Sequence, residues 1–237
     1  MLRAEWLITI SFAYNKMSLC CAGDRMIQVD DAGSGSLVGG TCIGILRKET
    51  GEFLYELLPV QLYDEYNFKN KTYIYYTTEI VRNALKALSV KKDEKILVCR
   101  GYMFEDTRRY LDHEDYNYNN SKIEEPLQSL IEKTFENYTI SLGLPKDFIA
   151  YTKYPFHFHR LLKWVYADYN NRVKLCKTGW KSWQKCSNMS VETYYDKLLK
   201  SNFVCLKCGK KISDNSDVKV IKYYSSRNNY VYLHKHC

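Results

Sequence analysis

The chain has 237 residues, 46% of them hydrophobic and 26% charged, with a net charge of +8. Length and apolar content exclude a wholly disordered chain and suit one ordinary domain plus a small module. The positive balance favours a polyanion or an acidic surface as partner, and no run approaches the ~20 apolar residues of a membrane-spanning helix.

In chain order, residues 1–22 read as an N-terminal extension. Within it Trp6 to Tyr14 is apolar, but Glu5 precedes it and no small-residue cleavage pattern follows. A short strand or an over-extended start is expected there, with Met17 or Met26 as other openings. Met26 to Asp30 is the first clear strand and runs into a Gly/Ser turn over residues 31–36. Thr41 to Arg47 is a β-rich run, a turn at Gly51 follows, and Phe53 to Leu62 returns as a third strand. Lys69 to Tyr76 reads as a polar, Tyr-rich connection. Thr77 or Thr78 can then cap a helix, because Ile80, Val81, Ala84, Leu85 and Leu88 repeat at helical spacing.

Lys95 to Cys99 is a short apolar strand, Phe104 to Leu111 a helix, Tyr116 to Ile123 a weak strand and Pro126 to Ser141 a long helix. Gly143 and Pro145 break it. One helix is expected from Phe156 to about Val173, and residues 187–194 read as a linker. The sequence therefore predicts an α/β fold over residues 23–186, with three strands joined by hairpins and two further strands alternating with helices. Residues 187–237 form a linker and a small module. Nine cysteines, with singles such as Cys42 and Cys99 in apolar surroundings, predict reduced core thiols and a reducing compartment, with the cytoplasm as default. Nothing in the sequence sets an oligomeric state.

The tail carries the clearest spacing. Cys205 and Cys208 form a C-x-x-C pair, and His234 and Cys237 form a second pair twenty-five residues on. Two pairs of this kind close a tetrahedron around a structural zinc ion, with His236 as substitute for His234. Gly209 suits the tight turn such a knuckle needs, and the segment looks like a zinc ribbon or treble clef.

The sequence Val29-Asp30-Asp31-Ala32-Gly33-Ser34 ends the first strand. With the order of elements, it resembles the RuvC-like branch of the ribonuclease H-like superfamily over roughly residues 26 to 173. The resemblance implies a mixed sheet of three antiparallel and two parallel strands. It also implies a nuclease site that hydrolyses phosphodiesters with Mg²⁺ or Mn²⁺, ions that need hard oxygen ligands. Matched residue by residue, Asp31 takes the metal-binding Asp, with Asp30 as its alternate on the opposite strand face. The family usually ends its fourth strand with Glu, whereas this chain has Cys99 and Arg100 there. Glu124, after the fifth strand, and Glu79, in the first turn of the helix after the third, are the substitutes. The last helix offers His157 or Asp168. These two lie about 16 Å apart along a helix axis, so they are alternatives rather than partners.

Arg172, Lys174, Lys177 and Lys181 alternate with Trp180 and Trp183. Cations for phosphates interleaved with indoles for bases make this the expected nucleic-acid contact. Two other classes stay open. One is a binding module that keeps the fold without the metal site, as Cys99 and Arg100 suggest. The other is a nucleotide-binding protein of the actin and sugar-kinase type, suggested by the Gly/Ser loop.

Overall fold

A computed structural model describes the backbone of residues 13–16 and all of residues 25–237. Residues 6–12 of the expected first strand, with Met17, lie outside the described residues. The strands are β1 (Ala13–Lys16), β2 (Met26–Ala32), β3 (Thr41–Arg47), β4 (Glu52–Leu58), β5 (Lys95–Cys99), β6 (Tyr118–Ser121), β7 (Val191–Leu198), β8 (Ser216–Tyr224) and β9 (Asn228–His234). The helices are α1 (Glu65–Lys69), α2 (Thr72–Ala87), α3 (Glu105–His113), α4 (Leu127–Ser141), α5 (Lys146–Tyr151), α6 (Phe158–Tyr166), α7 (Tyr169–Arg172) and α8 (Lys181–Gln184). Two compact units result. The first holds the described residues up to Ala32, Thr41–Leu58 and Lys71–Glu132, and the second holds Gly33–Gly40, Pro59–Asn70 and Lys133–Cys237.

The first unit is built on a mixed sheet in the order β1-β4-β3-β2-β5-β6. The pairs β2–β3 and β3–β4 are antiparallel, and β5 and β6 are added parallel to β2. Thus the expected three antiparallel and two parallel strands are present, with β1 as an additional edge strand against β4. β3 is buried from Thr41 to Leu46, as a strand covered on both faces must be. Pro59 has no N–H to donate, and β4 stops at Leu58 rather than continuing to Leu62.

Helix α2 begins at Thr72, a turn and a half before the expected caps. Tyr73 and Ile74 are buried, so they extend the apolar stripe of Thr77, Ile80, Val81 and Ala84 backwards. Thr77 caps nothing, since its hydroxyl donates to the Tyr73 carbonyl at 2.8 Å. Tyr, read as polar, hid that stripe.

In β4, burial pushes the Glu56 carboxyl above its ordinary range, and its Oε2 has no hydrogen-bond partner among the described residues. A carboxyl raised on folding is fully stabilising only below its unfolded pKa, and stability falls as pH climbs towards the folded value. Glu56→Gln is therefore expected to melt higher than the wild type at neutral pH. The gap should close as pH falls below the usual carboxylate pKa. Thermal melts across that range check it, and a gap independent of pH would rule out Glu56 as the cause.

The second unit carries the antiparallel sheet β7-β8-β9. Residues 191–194 of the expected linker supply the first half of β7. Its core joins Leu161, Trp164 and Val165 of α6 to Val218 and Val220 of β8 and Leu233 of β9, with Cys205 among them. The expected helix from Phe156 to Val173 is broken. α6 ends at Tyr166, Asp168 leaves helical geometry at φ −157° and ψ 63°, and α7 restarts after it. The Asp168 carboxylate accepts from Asn171 Nδ2, an arrangement that favours a new helix start over continuation.

Candidate functional site

The Cys205–Cys208 turn is a knuckle closed by its own backbone. Gly209 N–H donates to Cys205 O at 2.8 Å, and Cys205 N–H to Lys210 O at 2.9 Å. Gly209 sits at φ +78°, the conformation that favours glycine. β9 brings His234 to the knuckle, and Cys237 N–H donates back to His234 O. The four ligand atoms of Cys205, Cys208, His234 and Cys237 all lie within 4.8 Å of one another. His234 Nδ1 is 3.3 Å from Cys208 Sγ and 3.8 Å from Cys237 Sγ. A tetrahedral ion with ~2.3 Å bonds to sulfur and ~2.0 Å to nitrogen sets N···S edges of roughly 3.5 Å, so these distances bracket the requirement.

The other ring nitrogen, Nε2, lies 3.2 Å from the Lys211 carbonyl. A hydrogen bond there fixes Nδ1 as the free nitrogen, as a metal-binding imidazole needs. Burial pushes the Cys205 thiol up, but hydrogen bonds from the backbone of Cys208, His234 and Lys207 outweigh it and bring it down to about 7. The cluster can hold a metal ion such as zinc. His236 is exposed and stands outside it.

A second group lies in the first unit. Asp30 and Asp31 close β2, Cys99 closes the parallel strand β5, and their ligand atoms also meet within 4.8 Å. Open sheets place ligands beyond the carboxyl ends of parallel strands. There a cleft of about 400 Å³ is lined by Asp30, Asp31, Cys99, Arg100, Lys122 and Glu132, among others. Asp30 Oδ1 accepts from the Asp31 backbone at 2.9 Å. Burial raises the Asp30 carboxyl, and the nearby charge of Glu132 adds to it, against hydrogen bonds from Cys99 and the Asp31 backbone. Burial and a hydrogen bond to Asp30 push Cys99 to about 12. A neutral thiol does not suit a hard divalent cation, whereas the carboxylates do. Mg²⁺ commonly takes one or two carboxylates and keeps its waters.

Neither expected substitute joins this group among the described residues. Glu79 lies past the first turn of α2 and is paired with Arg82. Glu124 is exposed, and its contribution is a backbone carbonyl that accepts from Gln28. The carboxylate the sequence reading missed is Glu132. It sits one turn after Gln128 on α4, and both line the cleft. That i, i+4 pair on the helix after β6 was the available signal. His157 and Asp168 belong to the second unit, where they stand at the N-terminal positions before α6 and α7 without a capping side-chain hydrogen bond.

The basic segment is largely structural. Arg172 is buried, and its guanidinium donates to the carbonyls of Trp164 at 2.6 Å, Leu206 at 2.8 Å and Lys207 at 3.1 Å. Lys177 is fully buried, with Nζ 2.6 Å from the Gly33 carbonyl and 4.4 Å above the Tyr63 ring. Trp183 is buried against Tyr169, and Trp180 packs on the same core. A side chain sealed from water cannot meet a phosphate or a base, so Arg172, Lys177 and Trp183 are corrected to core residues. Lys174 and Lys181 remain exposed.

Comparison with protein-family models and with curated proteins finds no match. Among the described residues no helix is long and apolar enough to cross a membrane.

Proposed function

We propose that the first unit is a ribonuclease H-like nucleic-acid-processing domain, and that the Cys/His cluster is a structural zinc site. One observation carries the reading. Two adjacent carboxylates, Asp30 and Asp31, converge at the end of a central strand beside a parallel neighbour, in a cleft that a third carboxylate, Glu132, also lines. The mixed sheet supports it, because three antiparallel strands extended by two parallel ones is the arrangement implied by the sequence resemblance.

In this reading Asp31 and Asp30 would hold Mg²⁺ or Mn²⁺ by their oxygens, and the bound ion would supply charge stabilisation to a phosphodiester and a more acidic water. Glu132, which lines the same cleft, would be the general base, and Lys122 and Arg100 would offer positive charge to the phosphodiester. Arg108 steadies the floor of the cleft by donating to the carbonyls of Cys99 and Gly101 at 3.2 Å each.

Asp31→Asn keeps the shape and removes one charge. It is expected to abolish Mn²⁺-dependent cleavage of single-stranded, hybrid or junction substrates while leaving the fold intact. Paramagnetic broadening by Mn²⁺ should lose its focus on residues 30, 31 and 132. A wild type that cuts none of these substrates and shows no broadening there would sink the hydrolytic reading. Cys99 favours the second reading, a nucleic-acid-binding module without hydrolysis, because a protonated thiol stands where the resembled family carries a carboxylate.

A further inference from the structure

The second unit carries a feature that the cleft does not use. A groove of about 610 Å³ runs between α5, α6, the zinc knuckle and β9. It adjoins a second hollow of about 420 Å³, and Arg160 and Lys163 line both. These two sit at i and i+3 on α6, so they share one face. Arg227, from the β8–β9 turn, stands with them in the second hollow beside His157 and His159. None of Arg160, Lys163 and Arg227 forms an ion pair among the described residues. Asp147 is the one carboxylate lining either hollow. Burial holds Lys163 below its ordinary range, and the charges of Arg227 and Arg160 add to this. The positive charge is therefore concentrated, with Asp147 alone in the lining to offset it.

Aromatic rings line the same groove. Tyr151 is 86% exposed, Phe203 45% and Tyr230 38%. Large rings normally bury, and the strand pattern accounts for only part of this: Val231 and Leu233 face inward, and Tyr230 and Tyr232 outward. Phe203 lies against Tyr232 at 4.5 Å between centroids, which sets the wall in place. Unpaired cations beside exposed ring faces form the combination that tracks a backbone and stacks its bases. An acidic peptide would use the cations and leave the rings idle.

We infer that this groove seats a single-stranded nucleic acid, with phosphates on Arg160, Lys163 and Arg227 and bases against Tyr151, Phe203 and Tyr230. The inference rests on the nucleic-acid reading above, and it moves the contact away from residues 172–185.

The test is fluorescence anisotropy on the full chain, with no added divalent metal, using oligo-dT and oligo-U of about 20 nucleotides, enough to cover one groove of this kind. The Arg160→Glu, Lys163→Glu double variant should weaken binding at least about tenfold and lower the salt slope by roughly 1.4, about 0.7 for each lost phosphate contact. Tyr151→Ala should weaken it on the order of tenfold with little change of slope. The Lys86→Glu, Lys95→Glu double variant changes net charge equally on exposed lysines of the first unit and should bind like the wild type. A wild type that binds no oligonucleotide overturns this inference together with the nucleic-acid reading. Normal binding by the Arg160/Lys163 variant, or a loss that follows Lys174→Glu and Lys181→Glu instead, overturns the groove alone. Equal affinity for poly-glutamate, insensitive to Tyr151→Ala, assigns the groove to acidic protein and overturns it too.

Discussion

Arg172→Ala is expected to destabilise the second unit by about 3 kcal/mol, a large effect for a residue that reads from sequence as a surface cation. The guanidinium is largely buried, 4.0 Å from the Trp164 ring centroid, and bonds three backbone carbonyls. Two of these, Leu206 and Lys207, are the residues between the paired cysteines of the knuckle. Alanine leaves three acceptors without their donor, each worth ~1–3 kcal/mol where water cannot replace it, and opens a cavity beside Trp164. The knuckle carbonyls can partly rewet, which keeps the total near the lower end. Arg172→Lys keeps the charge but cannot span three acceptors with one ammonium, so it should recover only part of the loss. Urea melts of both variants decide this. If alanine melts with the wild type, the guanidinium contributes nothing to the knuckle.

Loss of the metal should reach further than the tail. Purified protein is expected to carry about one zinc per chain, and apparent binding energies of ~10–16 kcal/mol make such an ion part of the fold itself. Cys205 is fully buried in the same core as α6, β8 and β9. Stripping the ion with a strong chelator, or replacing Cys205 with Ser, should therefore raise amide exchange in residues 201–214, β9 and also α6. Elemental analysis and hydrogen exchange measure the two halves of the claim. Protein that holds no metal when prepared without chelator, or an exchange change confined to residues 201–214, would contradict it.

Spacing and composition were legible where the chemistry is local. The C-x-x-C pair with His234 and Cys237 reads directly because zinc geometry fixes which neighbours can share an ion. The strands from Met26 to Leu58 read from their β-rich apolar runs and the Gly51 turn, although β3 is buried on both faces and does not alternate. Tyr-rich stretches misled, because Tyr73 buries its ring while Tyr151 exposes one, and composition cannot tell the two apart. Arg172 and Lys177 misled for a related reason: a buried cation is rare, and its partners here are backbone carbonyls, which have no signature in the sequence. Glu132 was hidden because its place in the same cleft as Asp30 depends on how α4 packs, a tertiary fact. Asp168 failed as a helical residue because its carboxylate found Asn171 as a local alternative.

The discontinuous division of the chain bears on the order of events at the ribosome. Gly33 to Gly40 emerges early, yet its partners in the second unit are late. Gly39 N–H donates to Leu175 O, Lys177 N–H to Leu37 O, and Lys177 Nζ to Gly33 O across 144 residues of sequence. At about 5–20 residues per second, that separation corresponds to roughly 7–30 s of translation. Through that interval Leu37 and Val38, fully buried in the finished protein, wait without the residues that cover them. A nascent chain halted near residue 140 would thus present this apolar hairpin to chaperones, and one released past residue 177 would not.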